Sequence, residues 1–380
     1  MKFKRLIHYY VSGNFCLLFL IGIFALSSGD ALAQKKTGKK SIQFEAEIKF
    51  ATIYDNNILK YSDKYLDRFM NNQDPGRFHI DTYDDVILFQ SADIAATFRI
   101  FKDLKSKVNF DFNNNLYVVN GIKNWYYATL GFQQYITKRA SVKVFYTYLP
   151  DFYVRHFRDE DWVEIYGYTP ITFVPFSFSK DNYGIWAQNT FFKSTRIRLS
   201  LDYSKYYYNQ HYTEYDSKNL LYAINLYQTV FEKIRLEFGY HYLTSDAKGY
   251  DTPGETKEHS DDADATFEED GYRFGVTWEL PRLKKFNHDI DVRLDFEKRY
   301  YTTTHYVELD PEHAGRVDNY VQLSVTYNFE LSRSWNLSAF YNFFYRDTYT
   351  SSNYNKAYLS AEKDFNQSQI GLKAIYLLKF

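Results

Sequence analysis

Asp289, Asp291, Arg293 and Asp295 recur at every second position, with Ile290, Val292 and Leu294 between them. Successive side chains of an extended chain point to opposite faces. This spacing therefore gathers the charges on one face and the apolar groups on the other. A second set, Arg196, Arg198, Lys233 and Arg235, is basic, and Lys143 alternates in the same way with its neighbours. Fixed charges that face a common water-filled space can select ions or dipolar solutes. Two arrangements are open: basic and acidic strands face each other across a constriction, or neighbouring charges neutralise one another along the wall. Phe145, Tyr227, Tyr301 and Tyr320 fall on the same charged face. A track of such rings would suit saccharides, whose apolar faces stack on aromatic ones.

Other chemistry is poorly represented. The chain has no Gly-x-Ser-x-Gly elbow, His-Glu-x-x-His helix, phosphate loop or dinucleotide fingerprint. His241, with Ser245 nearby, is the best seed for an enzyme site on a strand, but a histidine beside a serine is more often a wall residue than a base. Asp261, Asp262, Asp264, Glu268 and Glu269 lack the glycine-punctuated spacing of a Ca²⁺ loop and read as a solvated acidic stretch. No catalytic residue, cofactor or metal site is expected.

The elements that must carry the charged face are long strands. Period-two alternation predicts strands near 41–54, 88–101, 105–118, 124–136, 140–150, 181–193, 195–210, 218–231, 233–245, 270–280, 286–302, 316–331, 334–348 and 366–380. Several exceed the roughly 5–6 residues usual in soluble sandwiches. The connections alternate short and long, as in a barrel with tight turns at one end and loops at the other. Within the loops, Tyr61, Tyr65 and Phe69 recur every four residues, which predicts a short helix that caps the pore or, the preferred reading, packs on the rim. Segment 151–180 is rich in aromatics and either folds inward as a constriction or extends its flanking strands. Segment 349–365 is read as loop or strand extension, so that the strand number stays even; twelve or sixteen strands are the alternatives.

Composition agrees with this reading. The 380 residues include 39 Tyr, 34 Phe and 5 Trp, yet mean hydropathy is −0.51. So many rings in so polar a chain fit a closed sheet with one lipid face and one wet face. Net charge is −1, so no basic excess speaks for nucleic acid.

Lys2, Lys4 and Arg5, an apolar run from Phe15 to Ser28, and Ala31-Leu32-Ala33 together predict a cleaved secretory leader at 1–33. A short periplasmic segment, 34–40, then precedes a barrel domain at 41–380. The only cysteine, Cys16, lies within the leader, so the mature chain has no disulfide.

The last strand, with Ile370, Leu372, Ala374, Tyr376, Leu378 and terminal Phe380, resembles the signal by which outer-membrane proteins are recognised for insertion. That resemblance implies the barrel-assembly machinery as a partner, beside outer-membrane lipid and lipopolysaccharide. Tyr54-Asp55-Asn56-Asn57-Ile58 is similar to a stretch in porin-like barrels of the outer membrane, some of them associated with exopolysaccharide export. The expectation is an all-β transmembrane antiparallel β-barrel of about fourteen strands in the outer membrane. It would act as a channel for small polar solutes or saccharides, or as a non-conducting binding or assembly barrel. Oligomeric state is left open.

Overall fold

The computed structural model describes residues 42–100 and 104–379. The expected leader, the segment 34–40 and Phe380 of the insertion signal lie outside the described residues. The chain folds into one closed antiparallel barrel of fourteen strands. These are β1 (Gln43–Asp55), β2 (Asp85–Arg99), β3 (Lys105–Tyr117), β4 (Trp125–Tyr135), β5 (Ala140–Arg158), β6 (Phe173–Phe191) and β7 (Thr195–Tyr208). They continue as β8 (Ser217–Val230), β9 (Ile234–Ala247), β10 (Phe267–Glu279), β11 (His288–Tyr301), β12 (Arg316–Glu330), β13 (Trp335–Thr350) and β14 (Phe365–Lys379). Each strand pairs with its sequence neighbours, and β1 closes the ring on β14 through a register that includes Phe50 opposite Ala374. Closure leaves no unpaired edge, which is what a sheet needs in lipid.

The outer face is apolar. Phe50, Leu130, Val144, Leu199, Phe238, Phe274, Leu294 and Leu372 are exposed there. Tyr146 donates a 2.5 Å hydrogen bond to Asp181, and Tyr240 a 2.7 Å bond to Asp270, on adjacent strands. These outward carboxylates mark the level at which the apolar band gives way to water. Trp278 and Trp335 are exposed near the opposite edge, so aromatic girdles bound the band on both sides. No helix of the described residues is long and apolar enough to cross a membrane; the strands cross instead.

Both described ends of the barrel chain lie with the short connections, which makes the other end the loop end. Of the two arrangements expected for segment 151–180, the structure shows the extension of the flanking strands: β5 and β6 run on through most of it as a paired hairpin, and only 159–172 connects them. Bulges between Leu149 and Phe152 and between Tyr153 and Arg155 break the period of two there. Segment 349–365 contains the last helix rather than a strand extension. The three α-helices among the described residues all sit at the loop end: α1 (Asp63–Met70), α2 (Glu160–Tyr166) and α3 (Lys356–Lys363).

Candidate functional site: a charged lumen beneath a loop roof

The inner wall is set by the register of the strands. Lys143 and Phe145 face inward on β5. The Phe145 ring occupies the place where a Cβ on Gly184 would stand, 2.0 Å from its Cζ. On β7, Arg198 donates to the side chain of Gln188 at 2.9 Å and lies 4.6 Å from the Trp186 ring, while Arg196 lies 4.2 Å from the ring of Tyr227 on β8. Neither guanidinium has an ion pair among the described residues. Arg235 on β9 donates to Thr277 at 3.3 Å.

Opposing charge collects on β11. Asp289 accepts from Asn328 at 2.8 Å and Asp291 from Thr277 at 2.7 Å, both neutral donors. Higher up, Asp295 accepts from Arg273 at 2.5 Å, and Arg293 lies 3.7 Å from Glu237. Charges neutralise one another midway along β9–β11, as one of the two expected arrangements has it, whereas nearer the turn end cations on β7 and anions on β11, four strands apart around the ring, stay unpaired. Lys233 departs from expectation: it is exposed in the 231–233 turn, outside any strand.

The rings do not form one track. Phe145 and Tyr227 stand in the turn-end half, on β5 and β8. Tyr301 and Tyr320 stand near the loop end, on β11 and β12. Tyr320 donates to Asp318 at 3.1 Å, and the Arg316 guanidinium lies 4.5 Å from the Tyr301 ring. Tyr376 and Leu378 of the insertion signal lie on β14, opposite Ile48 and Ala46 of β1. His241 and Ser245 face inward on β9 but do not work together: Ser245 donates to Asn219 at 2.9 Å, and His241 faces Glu269 at 3.4 Å.

Above the wall the loops meet. Fourteen strands about 4.8 Å apart and tilted by roughly 40° enclose a ring on the order of 28 Å across, measured at the backbone. The connection 56–84 crosses part of that opening. Its root is the Tyr54–Ile58 stretch. Buried Asp55 accepts from Gln367 at 2.7 Å and Gln369 at 2.8 Å, and Asn57 donates to Asn366 O at 3.0 Å and Tyr61 O at 2.8 Å. The loop then reaches the inner faces of distant strands. Arg155 of β5 donates to Leu59 O at 2.6 Å, and the Lys60 ammonium lies 5.2 Å from the Phe344 ring of β13. Ile58, Leu59, Tyr61, Tyr65 and Ile80 pack with Tyr153 into the main apolar cluster of the interior. The 56–84 segment therefore caps the mouth and does more than rest on the rim.

The remaining loops complete a roof. Lys64 of α1 pairs with Glu362 of α3 at 2.6 Å, and Lys363 pairs with Glu312 at 2.6 Å. His211 meets Asp159 at 2.7 Å, and the Tyr215 ring lies 6.1 Å from that of His313. Lys123 is buried in the 118–124 connection and donates to Tyr153 O at 2.9 Å. Burial pulls its amine down to about 7, and Arg155 and Lys60 add to the fall.

A cavity of about 560 Å³ lies within the roof. Ten carboxylate residues line it, among them Asp159, Asp161, Glu214, Asp251 and Asp262, against Arg77, Arg158 and Lys363. Burial pushes Glu214 up to about 8, with Asp262, Asp251 and Asp159 adding to the rise. Burial and Asp251 raise Asp161 as well. Glu312 goes the other way: burial would raise it, but Lys363, His313 and Arg316 hold it down at about 2. Sequence periodicity had no means of finding this cavity, because six separate connections build it.

No known protein family matches the chain, and no curated protein does. Solved structures of similar fold include a bacterial polysaccharide outer membrane secretin, at 8% identity and TM-score 0.44, covering 87% of this chain and 97% of that one. OmpT, an outer membrane protein of Vibrio cholerae, matches at 10% identity and TM-score 0.46, covering 90% of this chain and 99% of that one. An anion-selective porin from Comamonas acidovorans matches at 8% identity and TM-score 0.46, covering 90% of this chain and 100% of that one. These likenesses extend to architecture alone. The chain is a fourteen-stranded transmembrane antiparallel β-barrel.

Proposed function

We propose that this protein is an outer-membrane, porin-like channel for small polar solutes, saccharides among them, exported by its N-terminal leader and narrowed at its outer mouth by its own loops. The observation that carries the reading is the inner wall. Arg196, Arg198, Asp289 and Asp291 face the lumen without ion-pair partners. Charges so placed are tolerable beside water and costly in a dry core. Set on different sectors of the wall, four strands apart, opposite charges would orient dipolar solutes.

A second reading is favoured by a different observation: Phe157 of the β5–β6 hairpin meets Lys363, which pairs with Glu312 of another connection, over the mouth. A roof so tied suits a non-conducting barrel that captures a partner with its loops. Swelling of liposomes loaded with the refolded protein separates the two. The channel reading expects swelling in small sugars or amino acids at a rate that falls with solute size. No swelling above empty liposomes for any solute would favour the capture role.

A further inference from the structure

His241 of β9, Gly271 of β10 and Glu297 of β11 are direct register partners, so they form one row across three strands on the inner face. Glu269, two residues before Gly271, lies beside that row. The imidazole Nε2 is 3.4 Å from Oε1 of Glu269. One ligand atom from each of His241, Glu269 and Glu297 falls within 4.8 Å of the others.

Gly271 makes this cluster possible. A Cβ at that position would stand 2.0 Å from Cε1 and 2.3 Å from Nε2 of His241, so only glycine lets the ring lie across β10 toward the two acids. The φ of Gly271 is not positive, so the backbone itself does not require glycine. The acids are not equivalent. Oε2 of Glu269 accepts twice from Arg299, at 2.9 and 2.7 Å, which fixes the carboxylate and leaves Oε1 turned to the imidazole. The Glu297 carboxylate makes no hydrogen bond or ion pair among the described residues.

We propose that His241, Glu269 and Glu297 bind a divalent transition-metal ion of the Zn²⁺ and Co²⁺ class on the lumen wall. One imidazole and two carboxylates suit these borderline cations better than Mg²⁺ or Ca²⁺, which take oxygen alone. The spacing is also right. Ligands about 2.1 Å from a tetrahedral centre stand about 3.4 Å apart, the separation His241 and Glu269 already have. Glu297 closes the set by a side-chain rotation of about an ångström, and the lumen supplies water for the fourth position. Arg299 then acts as a positioning residue for Glu269. The site does not depend on the barrel conducting.

Co²⁺ titration of the refolded barrel in detergent, read by visible ligand-field absorption, tests it. One equivalent should bind with the intense bands of a tetrahedral site. Glu297→Gln and His241→Ala should each weaken binding by more than about tenfold. Gly271→Val should do the same by expelling the ring, and heat-modifiable gel migration checks that each variant is folded. Glu214→Gln, in the acidic roof cavity, should leave the spectrum unchanged. Absence of a tetrahedral spectrum, or one that persists in folded His241→Ala and Glu297→Gln, overturns the proposal.

Discussion

The ammonium of Lys363 stands 5.5 Å from the centre of the Phe157 ring, although α3 and the β5–β6 hairpin leave the barrel on nearly opposite sides. Such a contact over an opening on the order of 28 Å requires that loops lean inward from both walls. Lys363 also pairs with Glu312 from a third loop. Lys363→Ala should therefore loosen the roof and raise the liposome swelling rate severalfold without changing strand content by circular dichroism. An unchanged rate would mean the bridge does not limit passage.

Arg155 ties the 56–84 segment to β5: it donates to Leu59 O and lies 4.8 Å from the Tyr61 ring. Arg155→Ala removes both contacts. Limited proteolysis of the refolded protein should then cut faster within 71–77, where Asn72 and Asp74 form turns with positive φ. Equal cleavage rates in the two proteins would show that the apolar cluster holds the segment alone.

Glu214 predicts a pH dependence with a definite sign. Its folded pKa, about 8, lies above that of an exposed carboxyl. Folded protein therefore binds more protons than unfolded protein in the window between those values, and stability falls as pH rises through it. Glu214→Gln removes this contribution. The melting temperature of wild type relative to Glu214→Gln should drop as pH is raised from about 5 to about 9. A constant difference over that range would mean the carboxyl titrates normally.

The lipid face gives a register test. Leu294 lies midway along the outward apolar positions of β11, between Val292 and Phe296, while Asp295 points inward to Arg273. Leu294→Arg should cost about 2–4 kcal/mol in refolding into lipid, and Asp295→Asn much less. Similar costs would place the two side chains on the wrong faces.

The barrel was legible because its pattern is local. Ile290, Val292 and Leu294 alternate with charges without a break, and each such run fixes a strand and both its faces. The even strand number came instead from the parity of bacterial barrels, which set aside a strand within 349–365. Legibility stopped where the period stopped. Bulges at Leu149 to Arg155 hid the upper part of β5, and the short helix α3 has too few turns to stand out from an extension. Lys233 was misplaced because one residue separates the end of a strand from a turn. The metal row was not legible either. His241, Glu269 and Glu297 meet only through the pairing register, and the one local clue was a glycine at an inward position. The roof contacts join residues as distant as Phe157 and Lys363, which no window along the chain can relate.

The central claim, a water-lined lumen closed from above by the protein's own loops, is tested most directly by conductance in planar bilayers. Ile58 N lies 2.9 Å from Tyr83 O, so a short Gly–Ser linker can replace 59–82 without moving β1 or β2. Wild type should show small, infrequent openings, and the shortened protein a steady conductance severalfold larger. A shortened barrel that folds normally and stays sealed would contradict the account.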